Sequence, residues 1–146
     1  MKFAVVVSRF NADISEALLD GAWQGFTDHD VPEKNVTIVH VPGAFEIPLM
    51  ALTLAQRGDC AAVIALGAVI RGDTAHFEYV AGECARGLQQ AALETGVPRL
   101  FGVLTTETRE QAQERSAPDR SNKGWECVSA AISMAASLAA VRSPKA

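Results

Sequence analysis

Residues 60–70 have the sequence CAAVIALGAVI, a stretch of eleven residues without a charged side chain. A strand that is apolar at successive positions is covered on both faces, which is typical of the middle of a parallel sheet. The layers that cover the two faces of such a sheet are helices. The segment therefore predicts an α/β protein in which the flanking sequence supplies further parallel strands and the helices that pack on them.

Three more apolar runs, separated by segments of helical periodicity, predict the rest of the sheet. The runs are Phe3–Ser8, Val36–Val41 and residues 100–104. The helical segments cover residues 14–26, 47–57, 75–95, 109–115 and 123–141. Alternating strands and helices form parallel sheets through right-handed crossovers. We expect one domain, residues 1–146, with a flavodoxin-like three-layer α/β/α sandwich: a four-stranded parallel sheet with helices on both faces.

Several residues are expected to begin or end these helices. Asn11 and Asp13 precede the first helix and are suited to cap it. Thr108 and Gln111 have the spacing of a capping box, and Gly96 can adopt the left-handed conformation that ends a helix. Residues 142–146 are expected to fray.

Composition excludes several classes of protein. The chain has 13 basic and 17 acidic residues, a net charge of −4 that does not favour nucleic-acid or anionic-membrane binding. Its three cysteines, Cys60, Cys84 and Cys127, show no Cys-x-x-Cys spacing, which disfavours a disulfide framework or a zinc site. The sequence has no leader and no apolar span of about 20 residues, so we expect a cytoplasmic protein in a reducing compartment.

Ligands of parallel sheets bind beyond the carboxyl ends of the strands, so the residues that follow each strand are candidate site residues. The Phe10 ring could stack on a flat heterocycle while Asn11 bonds a polyol; alternatively, Phe10 is a core residue and Asn11 only a helix cap. Glu46 follows the second strand and could accept hydrogen bonds from hydroxyls, or it could only balance a helix dipole.

The segment after the third strand is the most informative. Gly72, Asp73 and Thr74 supply backbone donors and a hydroxyl at a helix start, which suits a phosphate. His76 lies in the same first turn and could transfer protons near neutral pH, although a lone histidine at a helix start is more often structural.

Two further groups of residues are open to two interpretations. Phe101, in the fourth strand, could belong to a pocket or to the core. Arg115 and Lys123 lie on either side of a loop and could hold a phosphate, or they could form a solvated polar face.

Four motifs in order and spacing closely resemble 6,7-dimethyl-8-ribityllumazine synthases. They are PGAFEIP at 42–48, ALGAVIRG at 65–72 followed by Thr74 and HFE at 76–78, FGVLTT at 101–106, and NKG at 122–124. The match runs from about Phe3 to Met134, so it covers nearly the whole chain.

The resemblance implies which residues bind the ribitylaminouracil substrate. Phe10 would stack on the pyrimidine, and Asn11 would assist. Phe101 would be contributed by a neighbouring subunit. The ring edge, the ribityl chain and the main-chain contacts to the uracil would involve Ala44, Phe45, Glu46, Ala68, Val69 and Ile70.

The resemblance also implies the residues that handle the second substrate, a butanone phosphate. Asp73 and Thr74 would form the phosphate cradle, and Arg115 would be the principal phosphate cation. Lys123 and Glu126 would support it, with Glu126 orienting Arg115. His76 would be the catalytic residue that transfers protons.

The implied reaction condenses 5-amino-6-(D-ribitylamino)uracil with 3,4-dihydroxy-2-butanone 4-phosphate and releases phosphate and water. It is the penultimate step of riboflavin biosynthesis, and it needs neither a metal nor a redox cofactor. The resemblance implies pentamers with shared active sites, and riboflavin synthase is a candidate partner. A short N-terminus and a loop at 116–121 without glycine favour a bare pentamer or a pair of pentamers over a sixty-subunit shell.

Two other functions are compatible with the predicted fold. A flavodoxin-like carrier or phospho-receiver is disfavoured, because residues 8–12 lack a Ser/Thr-Gly phosphate loop and no acidic pair follows the first strand. The second alternative is a family member that binds flavin or acts as a scaffold and has little turnover. Intact His76, Arg115 and Lys123 favour catalysis over this alternative.

Overall fold

The computed structural model describes residues 1–143 and contains one four-stranded sheet. Its strands are β1 (Phe3–Ser8), β2 (Val36–Val41), β3 (Ala62–Ile70) and β4 (Arg99–Thr106), all parallel, in the order β2-β1-β3-β4. The apolar segment forms β3, which pairs with both β1 and β4 and is therefore interior, as predicted. It begins at Ala62, two residues later than expected.

The helices form a layer on each face of the sheet. They are α1 (Ala12–Asp28), α2 (Ile47–Gln56), α3 (His76–Thr95), α4 (Arg109–Arg115) and α5 (Lys123–Arg142). One buried cluster joins the sheet to α1, α4 and α5, and a second joins it to α2 and α3. The three-layer sandwich is thus confirmed. Two short 3-10 turns, Glu33–Asn35 and Ala44–Glu46, were not predicted.

Helix ends differ in how well their sequence signals predicted them. The capping box of α4 is confirmed: the Thr108 hydroxyl accepts from the Gln111 N–H at 3.2 Å, and the Gln111 side chain accepts from the Thr108 N–H at 3.2 Å. Gly96 ends α3 with a φ of 71°, also as predicted. Fraying was wrong for Arg142, which ends α5 and donates to the Gly96 carbonyl at 2.9 Å. Part of that prediction concerns residues 144–146, which lie outside the described residues.

Asn11 occupies the N-cap position of α1, as predicted, but the side-chain cap expected there does not form. Asn11 takes a left-handed conformation, with a φ of 57°, and its side chain makes no capping hydrogen bond. Asp13 lies inside the first turn and pairs with Arg109 instead. The Asn11 side chain is therefore free to make a longer-range contact, which is described below.

The buried side chain of Asn122 fixes the start of α5 against α1. Its oxygen accepts from the N–H groups of Gly124 at 2.8 Å and Trp125 at 3.3 Å. Its amide nitrogen donates to the carbonyls of Ala17 at 3.2 Å and Ala117 at 3.0 Å. Because both ends of the amide are satisfied, this polar group can be buried without an unpaired donor or acceptor.

The three cysteines are free and buried. Burial raises the pKa of the Cys84 thiol to about 12 and that of the Cys127 thiol to about 11. Such thiols are protonated at neutral pH and chemically inert. They act as small core residues.

Among the described residues, one helix is long and apolar enough to cross a membrane, namely α5, with a mean hydropathy of 1.4. In this structure α5 packs against α1 and the sheet and buries Cys127, Val128, Ala131 and Ala135. One face of α5 is accordingly part of the core, and 28% of its apolar window is buried.

Candidate active site

A cavity of about 590 Å³ opens at the carboxyl edge of the sheet, where β1, β2 and β3 end. This volume lies in the usual range for small-molecule sites. The strand-end residues that line it are Phe10, Asn11, Gly43, Ala44, Phe45, Glu46, Ala68, Val69 and Ile70. The residues before and within the first turns of α3 that line it are Gly72, Thr74, His76, Phe77, Tyr79 and Val80.

Two exposed phenyl rings lie at the cavity. Phe10 is 70% exposed and Phe45 is 58% exposed. The interpretation of Phe10 as a core residue is therefore wrong. An exposed ring beside a cavity offers an apolar face that a flat ligand can cover, and this burial favours binding.

Asn11 joins two strand ends across the cavity floor. Its amide nitrogen donates to the Ala68 carbonyl at 2.9 Å, so the end of β1 is tied to the end of β3. The left-handed backbone of Asn11 aims the side chain at Ala68 and away from the first turn of α1. The contact holds Asn11 beside the main chain of Ala68, and both residues line the cavity.

Glu46 ends the 3-10 turn that leads into α2, and it lines the cavity. A side chain at Gly43 would place its Cβ 3.2 Å from the Glu46 Oε1 atom, so glycine leaves room for the carboxylate. Within residues 1–143 the Glu46 carboxylate forms no ion pair. It can accept hydrogen bonds from a ligand, although its position just before α2 also suits the helix dipole.

His76 begins α3, and its backbone N–H donates to the Thr74 hydroxyl at 3.4 Å. Both residues line the cavity, so a hydroxyl and an imidazole face the same space. Asp73 is exposed and is not among the residues that line the cavity in the described chain.

A second cluster lies where α4 ends and α5 begins. The Glu126 carboxylate is 3.7 Å from an Arg115 guanidinium nitrogen and 3.8 Å from the Lys123 ammonium. Both distances exceed a hydrogen bond, so Glu126 neutralises part of the charge without occupying the donors of either cation. Arg115 and Lys123 are thus available to an anion.

This cluster and Phe101 are separate from the cavity. Phe101 lies on the edge strand β4 and is 37% exposed, so the core interpretation is wrong for it also. In the single chain, over residues 1–143, none of Phe101, Arg115, Lys123 and Glu126 lines the cavity. On one chain the predicted site residues therefore divide between the cavity and the Glu126 cluster, and Asp73 and Phe101 belong to neither.

Sequence reasoning missed three lining residues of α3: Phe77, Tyr79 and Val80. Tyr79 and Val80 lie three and four positions after His76, on the same helix face. That spacing was the signal in the sequence that could have identified Tyr79 and Val80. Among the described residues, no group of three His, Cys, Asp or Glu side chains is placed to hold a metal ion.

Comparisons of this chain with known proteins agree with the resemblance seen in its sequence motifs. The family model for 6,7-dimethyl-8-ribityllumazine synthase matches residues 1–139, which include the cavity and the Arg115 cluster. A protein of Chloroherpeton thalassium named 6,7-dimethyl-8-ribityllumazine synthase is 54% identical over 133 residues, which are 91% of this chain and 86% of that protein.

Proposed function

The chain belongs to the 6,7-dimethyl-8-ribityllumazine synthase family, and we propose that its strand-end cavity is one half of an active site shared between subunits. It is a transferase that condenses 5-amino-6-(D-ribitylamino)uracil with 3,4-dihydroxy-2-butanone 4-phosphate, the penultimate step of riboflavin biosynthesis. The observation that carries the proposed site is that the exposed Phe10 ring, Glu46 and His76 line one cavity.

The ribitylaminouracil occupies the cavity in this proposal. Its pyrimidine stacks on Phe10, and its edge meets the main chain of Ala68, Val69 and Ile70. Phe45 and Glu46 hold the ribityl chain, with the carboxylate accepting from hydroxyls. Asn11, already bonded to Ala68, adds a polar contact beside the ring.

The 5-amino group then attacks the ketone of the butanone phosphate. The adduct loses a first water to give an imine, and phosphate is then eliminated. The ribitylamino nitrogen attacks the remaining carbonyl, and closure of the ring releases a second water. Because both reactants are reactive once they are adjacent, most of the rate gain comes from holding them in register, which is an entropic effect. His76 moves protons during these steps and contributes a smaller factor.

The phosphate is held by groups from two chains. Thr74 and the backbone near Asp73 supply donors beside His76, whereas Arg115 and Lys123, oriented by Glu126, come from the neighbouring subunit together with Phe101. This arrangement is supported by the separation of the two groups on one chain, since the cavity as it stands contains no lysine or arginine among its described lining residues. An anionic substrate needs a cation, and a second copy can provide it.

We propose a pentamer as the assembly in which these halves meet. Light scattering on the purified protein distinguishes a pentamer from a decamer or a sixty-subunit shell. We also propose a cytoplasmic location, which the three buried free cysteines support. Riboflavin synthase remains a predicted partner.

An absorbance assay with both purified substrates tests the function. Substrate-dependent formation of the lumazine is expected. Tight riboflavin binding without product would instead identify the chain as a flavin binder, and no product and no binding would contradict the proposal altogether.

We expect His76→Ala to weaken the enzyme without abolishing it. The kcat should fall by about a hundredfold at most, the low end of the range for general acid–base catalysis, because positioning supplies most of the rate. Steady-state kinetics with both substrates at saturation measures it. A variant with full activity would remove His76 from the mechanism, and complete loss of activity would show that proton transfer, not positioning, dominates.

A further inference from the structure

The Arg71 guanidinium connects three side chains around the loop that carries part of the cavity. One nitrogen lies 2.8 Å from the Glu78 carboxylate, and another lies 2.8 Å from the Glu107 carboxylate. Its central carbon lies 4.5 Å from the centre of the Phe77 ring. None of these contacts has a role in the reaction described above.

These contacts link the two ends of the loop between β3 and α3. Arg71 leaves the end of β3, where its backbone N–H donates to the Thr106 carbonyl at 2.9 Å. Glu78 lies in the first turn of α3, so the ion pair joins the two ends of the segment that contains Gly72, Thr74 and His76. The pair with Glu107 ties the same point to the segment that follows β4.

The loop has little else to order it. A Cβ added at Gly72 would meet no atom within 4 Å, and the Thr74 hydroxyl makes one hydrogen bond, accepted from the His76 N–H, among the described residues. A single exposed ion pair contributes little to stability, but a planar guanidinium that binds two carboxylates and stacks on a ring forms a network. Hydrogen bonds to the two carboxylates also raise the pKa of Arg71.

We propose that Arg71 is a positioning residue that holds Thr74 and His76 in the geometry required by the butanone phosphate. The inference rests on the proposed function, because it assigns the loop to that substrate. Pre-ordering of the loop lowers the entropy lost when the phosphate binds.

The test compares Arg71→Met with Arg86→Met in the full-length protein. Arg86 pairs with Glu83 at 2.7 Å on the exposed surface of α3, the helix that also carries Glu78, and it does not line the cavity, so it is a matched control. For Arg71→Met we expect the KM for the butanone phosphate to rise about tenfold, with the KM for the ribitylaminouracil and the melting temperature close to those of the control. Arg71→Lys, which retains the charge, should recover part of the loss.

A double-mutant cycle isolates the contact between Arg71 and Glu78. If Arg71 acts through Glu78, then Arg71→Met combined with Glu78→Gln should be no worse than Arg71→Met alone. Additive losses would overturn the inference, and so would an Arg71→Met variant with the kinetics of Arg86→Met, or one in which both KM values rise together with a large loss of melting temperature. An inactive wild-type protein would instead overturn the proposed function itself.

Discussion

We expect Gly124→Ala to lower the free energy of unfolding by about 3 kcal/mol, the upper end for overpacking a core. A Cβ at this position would lie 2.0 Å from the Leu18 carbonyl oxygen, which is backbone of α1 and cannot rotate away. The helices α1 and α5 would have to separate, and this would disturb the Asn122 hydrogen bonds that begin α5. Chemical denaturation at one fixed protein concentration measures the change.

Gly82→Ala is the matched control for this variant. Gly82 lies in α3, and a Cβ there would meet nothing within 4 Å. Alanine is the better helix former by about 1 kcal/mol, so Gly82→Ala should be neutral or slightly stabilising. If Gly124→Ala behaved in the same way, the close crossing of α1 and α5 would be wrong.

We expect Arg115→Ala to raise the KM for the butanone phosphate by about ten- to 150-fold, which corresponds to the roughly 1.5–3 kcal/mol of a charged hydrogen bond. The KM for the ribitylaminouracil should stay unchanged, because that substrate carries no phosphate and lies in the other half of the site. Steady-state kinetics in which each substrate is varied separately provides both values.

Arg120→Ala controls for the general effect of removing a cation nearby. Arg120 lies in the loop between α4 and α5, but its guanidinium stacks on the Trp125 ring, 5.3 Å from the ring centre. We expect its kinetics to match the wild type. Equal KM increases for Arg115→Ala and Arg120→Ala would show a diffuse electrostatic effect and would remove the specific role of Arg115.

Much of the fold could be predicted from the sequence, because each element has a local signal. The apolar continuity of residues 60–70 indicated an interior strand, and Thr108 with Gln111 indicated the start of α4. The side-chain cap of α1 was mispredicted for a physical reason, although Asn11 does occupy the N-cap position. Asn11 has the right residue type for a cap, but it satisfies its amide with the Ala68 carbonyl, which is distant in sequence and close only in the folded sheet.

The residues of the candidate site were also predictable only in part. Phe10, Glu46 and His76 follow strand ends, and the geometry of a parallel sheet brings such residues together in one cavity. The role proposed for Arg71 depends in part on a contact with Glu107, which lies in another loop, so the spacing of residues gave no indication of it. The groups assigned to the neighbouring subunit, Phe101 and Arg115, came from the resemblance to the family, because no pattern within one chain indicates which surfaces meet in an assembly.

Co-expression of two defective variants tests the shared site most directly. One variant is His76→Ala, and the other is Arg115→Ala combined with Lys123→Ala. If each site takes its cavity from one chain and its cations from the next, random mixing of the two in equal amounts leaves about a quarter of the sites intact. We therefore predict that mixed assemblies, assayed at low butanone phosphate, recover about a quarter of wild-type activity, far above either variant alone. Activity equal to the average of the two variants would contradict the account, because it would mean that each chain contains its whole site.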